Sequence, residues 1–333
     1  MAISAPAGWP WNGLPAAHEQ LNNEALIGQL TPGSIYLLID PLLGEPEFLS
    51  GSIKRYPLPG DAIDALGIPA EQTPFLLELE NADDPWLQAS MAWAITEHLQ
   101  ACANGSGACA IGGWLQTNKP NTAVDLAAQL GALLRASGAP NSGRYLRLAD
   151  RRVLALLQAA PALPALPEGL HVPAIDWAVQ LQGIACWAYL DHNFALQTLR
   201  GQAGESRDQP LRLGSAHWQL LAQAEAINRS LMAWQATHYP LPAEALVRII
   251  PALARARGHG LQTPDDLAAY AAEAMRQPAF ESWPRLKKIA ALIPGTQQAM
   301  SDALDLLRHE WAGKPADHWT PANPINPINR TTR

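Results

Sequence analysis

The sequence predicts an α/β protein: a mainly parallel sheet flanked by helices in the N-terminal domain, followed by a hairpin and an all-helical C-terminal lobe. Three observations predict it. Short apolar or alternating runs recur between helical stretches up to residue 150, the pattern of strands joined by crossover helices. The proline-rich segment PALPALPEGLHVP, residues 161–173, then interrupts the chain and cannot continue a helix. Beyond it, after one strand-like pair, the apolar spacing changes to three and four residues.

In chain order, a helical lead-in at 15–30 precedes strand-like runs at Ser34–Asp40, Pro74–Glu80, Ala108–Leu115 and Arg144–Ala149. The helix Trp86–Ala103 has Asp84 as N-cap, Pro85 at its first position and Asn104–Gly105 at its end. Thr122 opens the next helix, with Asp125 completing a capping box and Gly138 as terminator. In RYLRLADRRVL, residues 144–154, Leu146 and Leu148 alternate with Arg147 as in a half-buried strand, whereas Val153, Leu154 and Leu157 recur at helical spacing. Asp150 stands at the joint, where a short carboxylate accepts hydrogen bonds from the free N–H groups of a first helical turn.

After the proline-rich segment, IACWAYLD and FALQTLRG flank a His192–Asn193 turn and read as a hairpin. From Ser215 onward, Leu220, Ala224, Ile227, Leu231 and Trp234 step down one helical face. Thr263 and Pro264 open another helix with Asp265 and Asp266 in its first turn, and a last helix covers about Thr296–Trp311. The expected organisation is an α/β domain at 1–160, a linker at 161–173, a hairpin plus helical lobe at 174–312, and a flexible proline- and asparagine-rich tail at 313–333. Trp319, Ile325 and Ile328 are the apolar anchors that tail offers a partner.

Composition narrows the function. Charged residues make up 16% of the 333-residue chain, low against about 25% in typical domains, so much of the surface is neutral and suited to protein contact. The net charge of −7, with basic residues in the isolated doublets Lys54–Arg55, Arg151–Arg152 and Lys287–Lys288, excludes a phosphate-backbone binder. Twelve tryptophans against four phenylalanines favour a residue type enriched in binding hot spots. Cys102, Cys109 and Cys186 are an odd set without metal-ligand spacing, and the N-terminus lacks a basic region followed by an apolar run. No run reaches the roughly 18 apolar residues of a membrane span, so a cytoplasmic protein is expected. In that compartment the sequons at Asn104, Asn228 and Asn329 are coincidental.

Catalytic signatures are sparse. The chain has no Walker A loop, no G-x-S-x-G elbow, no S-x-x-K and no H-E-x-x-H. Gly105, Gly107 and Ala110 satisfy G-x-G-x-x-A, but they follow a helix and precede a strand, the reverse of the nucleotide-binding context. Asp191–His192 and His309–Glu310 are adjacent pairs whose side chains point apart and read as solvated surface. The expectation is therefore no catalytic residue, no cofactor and no metal. An alternative is an enzyme of a doubly wound α/β class with its site near Asp40, at the end of the first strand, although Asp40–Pro41 also reads as a simple turn. A third reading is a structural subunit of a larger assembly.

Six segments carry a family resemblance: SIYLLIDPLLG, PFLLELE, RYLRLADRRVLALL, WAYLDHNFALQTLRG, the run Leu211–Trp234, and DLAAYAAEAMRQPAFESWPRLKKI. In this order, over roughly residues 34–310, they resemble the effector adaptors of bacterial type VI secretion systems, the Tap-type adaptor/chaperone family. The third segment is the most specific. Asp150, Arg152, Val153 and Leu154 match its motif and read structurally, as a helix cap, an ion-pairing arginine and two core contacts. Where that family usually has proline between the aspartate and the arginine, this chain has Arg151, which gives up a pre-set φ at the first helical position without blocking the helix. The resemblance implies a non-enzymatic adaptor that binds a cognate effector protein in the cytoplasm and loads it onto a VgrG spike protein without being exported itself. It implies no cofactor, no nucleic acid and no membrane.

Overall fold

The computed structural model of the chain describes residues 14–30, 34–46, 48–49, 54–59, 68–104, 107, 109–117, 122–136, 146–166, 169–204, 210–277, 280–283, 286, 290, 293 and 299–312. Its six strands are β1 (Ile35–Ile39), β2 (Tyr56–Pro57), β3 (Phe75–Leu79), β4 (Ile111–Thr117), β5 (Ile184–Leu190) and β6 (Leu196–Leu199). They form one sheet in the order β2-β3-β1-β4-β5-β6. β1, IYLLI, is buried at every position, and it accordingly lies inside the sheet with partners on both edges.

Every neighbouring pair in this sheet is antiparallel, which corrects the expectation of a mainly parallel sheet. The reason is visible in the pairing. β3 and β4 both run antiparallel to β1, so they point the same way, and the helix α2 (Pro85–Asn104) crosses between them. The strand–helix–strand alternation does report a crossover between two parallel strands. It carries no information about β1, which occupies the space between them. The hairpin β5–β6 does not stand apart either, because β5 pairs with β4 and completes the sheet.

A second correction concerns Arg144–Ala149. Leu146 and Leu148 are buried and Arg147 is half-buried, so the alternation is present, but residues 146–149 form a turn and join no ladder. Their backbone is satisfied locally, with Leu146 N–H donating to Leu134 O and Asp150 N–H to Arg147 O.

Helices cover both faces of the sheet. On one face, Ile35, Leu37 and Ile39 pack with Leu26 of α1 (Leu14–Gln29) and with Met91 and Ile95 of α2. On the other, Tyr36, Leu38, Trp187 and Tyr189 pack with Leu126 and Leu130 of α3 (Ala123–Leu134) and Leu154 of α4 (Arg151–Ala159). Thr122 and Asp125 form the predicted capping box of α3, and Asp84 accepts the Trp86 N–H at the start of α2. Gly138 lies outside the described residues.

A short α5 (Trp177–Gln180) leads into β5. The C-terminal helices are α6 (Ser215–Leu221), α7 (Ala224–Gln235), α8 (Ala245–Gly258), α9 (Pro264–Arg276) and α10 (Met300–Ala312). They enclose a separate core around Ile227, Leu231, Ile249, Leu253, Tyr270 and Phe280. The run read as one helix from Ser215 breaks at Ala222–Gln223. The break lets Trp218 join the sheet core while Leu220 and Ile227 join the helical core. Thr263 caps α9 through the Asp266 N–H as its sequence predicts.

α4 belongs to both cores: Val153, Leu154 and Leu157 face the sheet, and Leu156 faces the helical lobe. One residue of helical rotation separates the two sets. The segment of most specific resemblance therefore lies at the seam where the two lobes meet.

Candidate functional site

The seam is built from residues 150–152 outward. Asp150 sits at φ −80° and ψ 105° and caps α4, its carboxylate accepting the Arg152 N–H at 3.0 Å. The same carboxylate takes Arg152 Nε at 2.9 Å and Nη2 at 2.7 Å, a two-pronged ion pair inside the protein. Burial alone would raise the Asp150 carboxyl, but Arg152 outweighs it and holds the group below the usual carboxylate range. The free Nη1 of Arg152 donates to Gly107 O at 2.9 Å and touches Met232 of α7. Asp150 thus caps α4, Arg152 pairs with it, and Val153 and Leu154 are buried apolar contacts.

Arg151 points the other way, because consecutive helical residues diverge by about 100°. Its guanidinium pairs with Glu97 of α2 and donates to Ile111 O at 3.0 Å and Ala94 O at 2.6 Å. Glu97 also accepts the Ala110 N–H at 2.7 Å and the Ile111 N–H at 3.2 Å, so the pair joins α4, α2 and the start of β4. Burial nevertheless raises the Glu97 carboxyl above its ordinary value. The sequence marks Arg151 only as the residue that replaces the family's proline and does not mark Glu97, because an ion pair across 54 residues leaves no periodic signal.

Next to these pairs lies a buried amide and imidazole network. His98 of α2 shares a hydrogen bond of 3.0 Å with Gln235 Oε1 of α7, and Gln235 Nε2 donates to the carbonyl of His192 at the hairpin tip. His192 Nε2 is 3.0 Å from Asn228 Oδ1, also on α7. His192 is 8% exposed, which corrects its reading as solvated surface. Asp191 instead organises the hairpin turn, accepting the Asn193 and Ala195 N–H groups. Asn228 is likewise buried and hydrogen-bonded, so its sequon has no exposed acceptor.

A cleft of about 290 Å³ opens along this seam and shares Leu43 and Gly107 with a second, of about 230 Å³, lined by the sheet lobe alone. Arg147, Asp150, Arg152 and Met232 line the first, and Trp93 and Glu97 the second. Both fall below the roughly 300–1,000 Å³ of ordinary small-molecule sites.

Asp40 caps the 3-10 turn Pro41–Leu43, accepting the Leu42 N–H at 3.1 Å. It is fully buried, with Oδ2 3.7 Å from Arg147 Nε and no hydrogen-bond partner on that oxygen. Burial raises its carboxyl to about 6. The rule that places ligands beyond strand ends belongs to open parallel sheets, so the antiparallel pairing of β1 removes the argument that made Asp40 a candidate site.

Of the described tryptophans, Trp114, Trp187, Trp218 and Trp283 are buried and Trp86, Trp93, Trp177 and Trp234 partly so. They build core and seam, and none forms an open aromatic face. Cys102, Cys109 and Cys186 are buried free thiols, with burial pushing Cys109 up to about 11. Gly107 holds φ +159° with its backbone against Ala101, a packing position whose carbonyl serves Arg152. Trp319, Ile325, Ile328, Asn329 and the Lys287–Lys288 doublet lie outside the described residues, as do the side chains of His309 and Glu310. Among the described residues no group of three or more His, Cys, Asp or Glu is placed to hold a metal, and no helix is long and apolar enough to cross a membrane.

Comparison of the chain with protein-family models, with curated proteins and with solved structures finds no match in any of the three.

Proposed function

We propose that this chain is an adaptor of a type VI secretion system, binding a toxic effector protein in the cytoplasm and loading it onto a VgrG spike, without catalysing a reaction. The observation that carries the reading is the ordered set of six segments that resemble the Tap-type adaptors, with the most specific one, RYLRLADRRVLALL, at the seam between the two lobes. A binding role is further supported by how the charged groups of that segment are used. Asp150 and Arg152 satisfy each other and Arg151 satisfies Glu97, so the charged groups of the motif are used inside the fold, where they hold α4 against α2 and β4. Deletion of the chain from its native cell tests the proposal: one effector is expected to stop being exported while the spike is still exported. Unchanged export of every effector would refute it.

A further inference from the structure

The seam holds a feature that the adaptor reading does not use. Two buried imidazoles, His98 on α2 and His192 at the hairpin tip, have ring centroids 6.3 Å apart, and both are hydrogen-bonded to α7 of the helical lobe. We propose that the contact between the sheet lobe and the helical lobe is a proton-operated latch, closed while His98 and His192 are neutral and opened when they take up protons.

The hydrogen bonds set which nitrogen carries the proton of the neutral ring, and they would persist in the charged one. Gln235 Nε2 must donate to His192 O, so Gln235 Oε1 is the acceptor and His98 carries its proton on Nε2. His192 Nε2 lies 3.0 Å from Asn228 Oδ1, an acceptor, and so carries the proton of that bond. A second proton on either ring adds charge without an awaiting carboxylate. From α4, Arg151 and Arg152 face His98, and Arg152 and Asp150 face His192. From α2 come Glu97 and the Cys102 thiol, the latter 3.7 Å from Gln235 Oε1, and beyond Phe194 lie His18 of α1 and Tyr239. Glu97 is paired with Arg151 and Asp150 with Arg152; Asp191 is bonded to its own turn, and its charge, with that of Asp150, opposes the effect of burial on His192 without cancelling it.

An imidazolium here is buried, faces the other imidazole with ring centroids 6.3 Å apart, and neighbours the guanidiniums of Arg151 and Arg152, whose carboxylates are already paired. Burial, with these cations, lowers His98, and burial lowers His192. A histidine depressed in the closed form binds its proton more tightly in the open form, so the closed seam loses stability as pH falls below the ordinary histidine value of about 6.5. For each histidine, every pH unit below that value raises the open population by at most about ten-fold.

Cys102 and Cys186 make the test internal. Cys102 packs against Ala101 and Met232 at the seam, whereas Cys186 lies inside β5, paired with Gln116 of β4. The intact chain is exposed to a dithiodipyridine reagent, which remains reactive in mild acid, and modified cysteines are located by mass spectrometry between about pH 7.5 and about pH 5. Relative to a free cysteine peptide at the same pH, which corrects for the lost thiolate, Cys102 is expected to react roughly ten-fold faster at the acid end, with Cys186 still protected, and the His98→Gln/His192→Gln variant is expected to lose this dependence. Simultaneous modification of Cys102 and Cys186, no acceleration, or an acid response that survives in the variant would each overturn the latch. If the double variant fails to fold, X-ray scattering of the unmodified chain decides. A larger radius of gyration in acid with unchanged far-UV circular dichroism supports the proposal, and an unchanged radius overturns it.

Discussion

Arg151 and Glu97 form an ion pair that is almost wholly enclosed, with 2% and 7% of their side chains exposed, at the point where α4, α2 and β4 meet. The position of Arg151 is the one at which the resembling adaptors usually carry proline, and Asp150 already has extended dihedrals that a following proline accepts. Replacement by proline would therefore remove the charge with little backbone penalty.

Arg151→Pro is expected to lower stability by about 3–5 kcal/mol, because Glu97 is left charged and buried without a cation. Adding Glu97→Gln should restore much of the loss, since the amide oxygen can still accept from Ala110 or Ile111. Urea denaturation of the two variants measures both effects. An unchanged midpoint for Arg151→Pro would show that the pair has no structural weight.

Asp150→Ala removes more than a helix cap. The cap alone is worth about 1 kcal/mol, but Arg152 would also lose both of its carboxylate bonds inside the seam, bringing the expected cost to about 3 kcal/mol or more. Asp150→Asn, which keeps an acceptor for the Arg152 N–H, should cost less. In the unmodified chain the depressed Asp150 contributes stability that is present above the unfolded value of 3.8 and is lost as pH falls through its lower folded value. An acid titration of the denaturation midpoint in both variants reads this out as a missing step.

Asp40 has the opposite sign. Its carboxyl is raised from 3.8 to about 6 by burial, so the folded chain holds that proton more tightly than the unfolded chain and is penalised once the group ionises. Asp40→Asn keeps an acceptor for the Leu42 N–H and is expected to stabilise the protein by roughly 1–3 kcal/mol near pH 8, with the gain disappearing near pH 4. Equal effects at the two pH values would contradict the assignment.

Gly113 marks the irregularity in β4, where Leu38 pairs with Gly113 but Ile39 pairs with Ile111. Its φ is +128°, and a Cβ there would lie 2.3 Å from Ala188 O of β5. Gly113→Ala is expected to cost roughly 3 kcal/mol and to loosen the β4–β5 pairing. Faster hydrogen exchange at Ala188 and its neighbours would show it. Unaltered protection would mean the bulge absorbs the methyl group.

What the sequence discloses is local. Asp84, Thr122, Asp150 and Thr263 announce helix starts because a cap is decided within three or four residues, and the His192–Asn193 turn announces its hairpin for the same reason. Sheet direction is not local. The apolar run of β1 is the same whether its neighbours run parallel or antiparallel, and its insertion between β3 and β4 is a tertiary choice. The strand expected at Arg144–Ala149 fails because burial alternates along residues 146–148 without a ladder partner. The seam was half legible: the Asp150–Arg152 pair is short-range, whereas Arg151–Glu97 and the His98–Gln235–His192 network join residues far apart in the chain.

The central claim is that this chain carries an effector to a spike. The most direct measurement is an affinity pull-down of the tagged chain from its native cytoplasm at moderate salt, with the co-purifying chains identified by mass spectrometry. The account predicts recovery of a VgrG-type spike protein together with one large toxin-like protein. Recovery of neither, from a chain shown to be folded, would contradict it.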